Sequence, residues 1–211
     1  MAWNHDLVFG YMFFMDLESL KSFGITTKDF YKVYNDEYFW KRKVEHDFGH
    51  ATSVYKPENI GYKQQYHDLT HVDVEIALEN GRLDVLVSKA SGESKYTPEV
   101  KDANLSARNG HTHILEWLES CGILPDQRGV GSAIWFGRLD ILRWLEHRGI
   151  LPNTQYLVNN TVLRGHIHIL DWLESCGILP DVDGANMSVC GGRLDMLKWL
   201  ESRGILPDVR G

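Results

Sequence analysis

A sixteen-residue segment that recurs at a nearly fixed period constrains the fold of this chain more than any other feature. The clearest copy is residues 165–180, GHIHILDWLESCGILP; close copies occupy residues 110–125, 137–152 and 192–207, and a weaker one begins at Gly81. The opening glycines lie 29, 27, 28 and 27 residues apart. A period in this range is typical of stacked supersecondary units rather than one closed core. We therefore expect a solenoid behind a separate N-terminal segment.

Each repeat carries the spacing of two short helices. Small or apolar pairs stand four and three residues before the opening glycine, and leucines follow it at helical spacing. A second glycine stands at the expected helix C-cap, with proline three residues further on. A tryptophan recurs on the flank of the second helix, where a core role is expected. The pattern predicts an all-α array over residues 71–211, with about five repeats and a degenerate first copy.

The repeats resemble ankyrin repeats. The small pair, the Gly-His at residues 110–111 and 165–166, and the 12-residue gap to the second glycine coincide with that family's pattern. These units have 27 or 28 residues, whereas an ankyrin unit has about 33. The resemblance implies a helical solenoid of ankyrin-like helix pairs whose hairpin fingers are shortened to tight turns, such as residues 125–129.

The N-terminal segment, residues 1–70, has a different pattern. Residues 5–15 are apolar on nearly all sides, which predicts either a helix buried on several faces or a partner surface. Residues 16–23, 29–34 and 37–48 predict short helices. This segment is therefore expected to be a small helical domain of its own.

Part of the N-terminal segment resembles an F-box. The matching stretches are residues 17–20 (LESL), 26–31 (TTKDFY) and 35–44 (NDEYFWKRKV), whereas the Leu-Pro opening usual in that family is absent. The alternative is a small helical cap whose aromatic residues cover the end of the solenoid. The resemblance implies docking onto the Skp-family adaptor of a cullin–RING ligase through Leu17, Leu20, Phe30, Phe39 and Trp40.

Shortened ankyrin-like repeats behind an F-box are found in large DNA viruses, and the chain resembles that group. The resemblance implies a substrate-recruiting subunit of an SCF-type ubiquitin ligase, working in the host cytoplasm or nucleus. Such a subunit holds an unidentified protein target near the ligase and does no bond chemistry itself. The alternative function is a plain ankyrin-repeat binding module.

Composition narrows the classes of partner. A formal charge of −7 argues against non-specific binding to nucleic acid or to acidic membranes. No apolar run approaches the ~20 residues of a membrane span, and the N-terminus lacks the basic start of a signal peptide. The three cysteines, Cys121, Cys176 and Cys190, lack disulfide spacing, which favours a reducing compartment. We expect an intracellular, cytoplasmic monomer that binds neither nucleic acid nor membranes.

The histidine pairs His111/His113 and His166/His168 are candidate metal ligands. Residues two apart on a helix are rotated by about 200°, so one metal ion does not easily take both. Other copies hold arginine and aspartate at these positions, and we expect hydrogen bonding at the helix start instead. The sequence shows no zinc spacing, catalytic triad or phosphate-binding loop. It predicts no enzymatic activity, no metal and no cofactor.

The predicted target-binding surface lies on the first helices, which line the concave side of a helix-pair stack. Trp135 and Phe136, flanked by Arg108 and Arg164, have the chemistry of a binding hot spot. The alternative is half-buried packing between repeats. Positions five, two and one before each glycine supply Leu105, Arg108, Asn109, Ser132, Trp135, Phe136, Asn160, Leu163, Arg164 and Met187.

Overall fold

The computed structural model describes residues 5–24, 28–49, 52, 55–92 and 96–208. Within these ranges the chain consists of helices and turns, without a strand. The predicted all-α class is therefore confirmed for the described residues. The chain divides into two compact units, Met1–Thr97 and Pro98–Gly211.

The described part of the first unit contains seven helices. Helix α4 packs against α1, α3 and α5, and α5 also packs against α7. The short helices predicted in the N-terminal segment are confirmed as α2, α3 and α4. The seven helices are α1 (His5–Phe13), α2 (Leu17–Gly24), α3 (Lys28–Tyr34), α4 (Glu37–Phe48), α5 (Tyr62–His71), α6 (Val74–Glu79) and α7 (Leu83–Ser91).

Helix α4 supplies the centre of this unit's core. Asp36 caps the helix by accepting a hydrogen bond from the Tyr38 amide, and Phe39 and Trp40 are fully buried. The Trp40 indole N–H donates to the carbonyl of Tyr34 at 2.7 Å, so its polar edge is satisfied inside the core. The aromatic side chains of α4 therefore hold the first unit together.

The degenerate first repeat forms α6 and α7, and by its contacts it belongs to the first unit. The Arg82 guanidinium donates a hydrogen bond of 2.9 Å to each carboxylate oxygen of buried Asp84, and it also donates to Asp68 of α5. Gln65 of α5 donates to Asp84 at 3.1 Å. This buried network joins α5 to α7, so the compact division falls after Thr97 rather than after residue 70.

The second unit contains eight helices in neighbouring pairs. Within each pair the two helices pack together, and the first helices contact one another in sequence, α8 to α10 to α12 to α14. Helices α9 and α11 also pack together. The eight helices are α8 (Val100–Asn109), α9 (Thr112–Ser120), α10 (Gln127–Trp135), α11 (Leu139–Glu146), α12 (Gln155–Arg164), α13 (Ile167–Ser175), α14 (Val182–Cys190) and α15 (Leu194–Glu201).

The predicted apolar positions form the core of this unit. The small pairs before the opening glycines are buried in α8, α10 and α12. Val189 of α14 is the exception, with 37% of its surface exposed. The predicted C-cap glycines are also confirmed, because Gly122 and Gly149 adopt left-handed backbone angles, with φ of 78° and 70°.

The turn predicted at residues 125–129 is placed wrongly. The Asp126 side chain accepts a hydrogen bond from the Arg128 amide at 2.8 Å, which caps α10 and starts the helix at Gln127. Residues 121–126 therefore make the connection, and in the described residues no hairpin occupies it.

Candidate functional site

An open groove of about 290 Å³ lies on the first helices of the second unit. It brings together five of the predicted target-binding residues: Arg108, Ser132, Trp135, Phe136 and Asn160. We call this surface the Trp135 groove; its lining residues are Arg108, Arg128, Gly131, Ser132, Trp135, Phe136, Tyr156, Leu157 and Asn160.

Three aromatic rings of the groove are open to solvent. Trp135, Phe136 and Tyr156 are 39%, 45% and 65% exposed. Trp135 is the last residue of α10, directly after Ala133 and Ile134, which are fully buried. Helical rotation therefore sends the indole to the surface while the preceding pair fills the core. Exposed aromatic residues in one cluster are a feature of binding surfaces.

Arginine side chains stack on two of these rings. The guanidinium carbon of Arg164 lies 3.1 Å from the centroid of the Trp135 ring, and that of Arg108 lies 4.9 Å from the Phe136 ring. Cation–π contacts of this kind orient the guanidinium before a partner arrives. Within the described residues neither Arg108, Arg128 nor Arg164 forms an ion pair. The exposed guanidinium groups of Arg108 and Arg128 are therefore available to a ligand, whereas the Nε of Arg164 is buried.

Several other predicted residues do not contribute to the groove in the expected way. Leu105, Asn109, Leu163 and Met187 are half-buried and do not line it. Asn160 lines it but is only 8% exposed. These side chains are therefore partly or largely withdrawn from solvent.

The sequence prediction missed Arg128 and Tyr156. Both lie nine residues before an opening glycine. The predicted surface began four residues later, at the position five residues before the glycine. Positions four apart share a helix face. Extending the predicted face by one turn would therefore have found both side chains.

The structure places the F-box-like residues in a core, not on a surface. Leu20, Phe39 and Trp40 are fully buried and Leu17 is 8% exposed, whereas the side chain of Phe30 lies outside the described residues. Apolar residues on one face of short helices bury against each other in preference to water. In this conformation the four described side chains do not offer a docking surface.

Other aromatic residues of the first unit are exposed. Phe14 is 78% exposed and Tyr38 is 63% exposed. The Phe14 ring lies 5.7 Å from that of His46, and the Tyr38 ring lies 6.2 Å from that of Phe9. We call this group, Phe9, Phe13, Phe14, Tyr38 and His46, the aromatic patch. Its phenylalanines belong to residues 5–15, for which a partner surface was one of two predictions, whereas Tyr38 lies within the F-box-like stretch 35–44 but was not among the predicted docking residues.

The predicted helix-start hydrogen bonding by the histidines is wrong. His111 and His166 occupy N-cap positions but make no side-chain cap hydrogen bond. Instead, His166 Nε2 lies 3.3 Å from the Trp135 carbonyl oxygen and His168 Nε2 lies 3.4 Å from that of Gly137. These imidazoles connect one repeat to the preceding one.

Neither a cluster of metal ligands nor a membrane-spanning helix is found in the described parts of the chain. Among the described residues, no group of three or more His, Cys, Asp or Glu side chains is placed to hold a metal ion. The helices described here are also too short or too polar to cross a bilayer.

Comparison with known proteins gives no relative. A scan against protein-family models finds no match, and a search of curated proteins finds none with significant similarity. The ankyrin and F-box resemblances therefore stay predictions from the motifs.

Proposed function

We propose that this chain is a protein–protein interaction adaptor. Its second unit would be an ankyrin-like helical solenoid with shortened fingers, a proposal supported by the 27- and 28-residue periods and by the sequential contacts of the first helices. The observation that carries the binding role is the Trp135 groove, where three exposed aromatic rings lie beside arginines without ion-pair partners in the described chain.

We further propose that the first unit docks onto a Skp-family adaptor and recruits the target to an SCF-type ubiquitin ligase. The F-box-like motif supports this role, and the aromatic patch is the exposed apolar surface that docking requires. The chain would act by proximity, because tethering raises the effective concentration of target lysines near the ligase.

Adaptor binding tests the ligase role. We expect the full chain to bind a purified Skp-family adaptor, and the double variant Phe14→Ser/Tyr38→Ser to bind at least about tenfold more weakly, since two exposed aromatic contacts are lost. Tyr55→Ser is the matched control, because Tyr55 is also exposed, at 44%, and lies outside the aromatic patch. Isothermal titration calorimetry measures all three affinities.

Variants of Trp40 and Leu20 are unsuitable for this test. Both side chains are fully buried, and truncating a buried tryptophan costs about 3–5 kcal/mol. Loss of binding would then report unfolding of the first unit. Circular dichroism must therefore show that the Phe14/Tyr38 variant keeps its helices.

A plain interaction module is the second candidate function. Burial of Leu17, Leu20, Phe39 and Trp40 favours it, since these residues then serve stability alone. Under this function a well-folded chain fails to bind the adaptor, while the Trp135 groove still binds its target.

A further inference from the structure

The arginines around the Trp135 groove place positive charge on one surface of an acidic chain. The formal charge is −7, yet Arg108, Arg128 and Arg164 have no carboxylate partner in the described part of the chain. Elsewhere in the same unit Arg148 holds Glu119 with two hydrogen bonds of 2.7 and 2.5 Å. Guanidinium groups pair best with carboxylates because their planar donors match both oxygens. The groove therefore has cations suited to an acidic partner.

The middle of the groove suits an apolar side chain. Gly131 and Leu157 both line the groove, and they pack so closely that a Cβ added at Gly131 would lie 2.9 Å from Leu157 Cδ2, so an apolar side chain forms part of its wall. The exposed rings of Trp135 and Tyr156 belong to the same groove. Covering these rings with an apolar group removes their surface from water.

The length of the groove sets the size of its ligand. From Arg128 to Phe136 the chain advances eight residues, or ~12 Å at the helical rise of about 1.5 Å per residue. An extended peptide advances ~3.3 Å per residue. About four residues of peptide therefore reach from Arg128 to Arg108, which stacks on Phe136.

We infer that the Trp135 groove binds an extended acidic segment of a target protein. One carboxylate pairs with Arg128, a second one, about four residues along the peptide, pairs with Arg108, and an apolar side chain between them packs on Trp135. The inference rests on the proposed function, because it names the chemistry of the target that the second unit holds.

Single-stranded nucleic acid is the other polyanion that arginine and aromatic rings attract. Such binding uses a long basic track that neutralises many phosphates. The groove is lined by two arginines, Arg108 and Arg128, with Arg164 stacked on the Trp135 ring, on a chain of net charge −7. The acidic peptide fits this limited set of cations better.

Peptide selection tests the inference directly. Short random peptides displayed on phage are selected on the immobilised full chain, and the affinities of the enriched peptides are measured by fluorescence anisotropy. We expect a consensus of two acidic positions about four residues apart with an apolar residue between them. Arg128→Gln should weaken binding about tenfold, as loss of a charge-assisted hydrogen bond does.

The matched control is Arg143→Gln. Arg143 is also exposed and the charge change is the same, but it lies on α11 outside the groove. This variant should bind the peptides as the unchanged chain does. Trp135→Ala should also weaken peptide binding. If the Trp135→Ala variant unfolds, Tyr156→Ala replaces it, because the Tyr156 ring also lines the groove and is more exposed.

Three results would overturn the inference. The first is a consensus without acidic residues, or no enrichment at all. The second is equal peptide binding by the Trp135, Tyr156 and Arg128 variants. The third is tighter binding of a polyuridine oligonucleotide that the same variants abolish.

The peptide assay contains no Skp-family adaptor, so it is independent of the ligase role. If the selection fails while the chain still binds the adaptor, only the peptide inference is overturned. Peptide binding without adaptor binding supports it and rejects the ligase role.

Discussion

Asp47 is the residue on which several side chains of the first unit converge. Its carboxylate accepts hydrogen bonds from Lys43 at 2.9 Å and from the Tyr66 hydroxyl at 2.6 Å, and it lies 2.6 Å from His46 Nδ1. Burial alone would raise the pKa of Asp47, but the hydrogen bonds from His46, Tyr66 and Lys43 hold it below the usual 3.8. Lys43 is itself buried and also donates to the Phe13 carbonyl, so ionised Asp47 stabilises a cation inside the fold.

The lowered pKa of Asp47 predicts an acid-sensitive contribution to stability. A carboxyl whose folded pKa is depressed stabilises the fold fully above its unfolded pKa, 3.8, and loses that effect as the pH falls through the lower folded value. We expect Asp47→Asn to lower the melting temperature most at neutral pH and less below pH 3.8. Thermal unfolding across this range measures the difference. If the difference in melting temperature between Asp47→Asn and the unchanged chain did not change with pH, ionised Asp47 would not be the stabilising group.

The repeats of the second unit are joined by a recurring clip between elements. Asn104 of α8 donates to Asp126 Oδ1 at 2.9 Å, and the Asp126 amide donates back to Asn104 Oδ1 at 3.0 Å. Asp126 also caps α10, so one carboxylate both starts a helix and ties it to the preceding repeat. Asn159 and Asp181 form the same clip between α12 and α14.

The clip depends on a glycine one turn into the helix. A Cβ at Gly129 would lie 2.5 Å from Asn104 Oδ1 and 2.7 Å from the Pro125 Cβ. We expect Gly129→Ala to destabilise the second unit by about 1–3 kcal/mol, the usual cost of overpacking. Gly10→Ala is the control, since Gly10 lies within α1 with nothing within 4 Å of an added Cβ, and alanine favours the helix. Urea unfolding measures the free energy of unfolding of both variants. If Gly129→Ala were as stable as the unchanged chain, the proposed need for glycine at this contact would be wrong.

The contacts between second helices alternate along the unit. Arg148 pairs with Glu119, and Arg203 pairs with Glu174. Between them, Glu146 instead accepts from the Trp172 indole at 2.8 Å. This alternation matches the sequence, where copies two and four carry cysteine at the position at which copies three and five carry arginine. The arginine–glutamate pairs between second helices therefore recur at every second repeat.

The sequence predicted the elements better than it predicted the site. Glycine spacing and the apolar stripe are local signals, so the helices after residue 97 follow from them directly. Burial of Trp40 and Leu20 did not follow, because the same apolar side chains suit a core and a docking surface equally well. The contact from His166 to the Trp135 carbonyl joins residues 31 positions apart, and no local pattern reports it.

At the scale of the whole molecule, each of the two units carries its own exposed aromatic surface. The first has the aromatic patch with Phe14 and Tyr38, and the second has the Trp135 groove. Their chemistry differs, because guanidinium groups stack on the rings of the groove, Arg164 on Trp135 and Arg108 on Phe136. Two surfaces of different character on separate units are what an adaptor for two different partners requires.

Sedimentation velocity of the full chain, mixed with a purified Skp-family adaptor and a fluorescent acidic peptide from the selection, tests the two-surface adaptor most directly. We expect a complex that contains all three components. Phe14→Ser/Tyr38→Ser should remove only the adaptor, and Trp135→Ala only the peptide. A folded chain that binds neither component, or one whose two surface variants leave both partners bound, would contradict it.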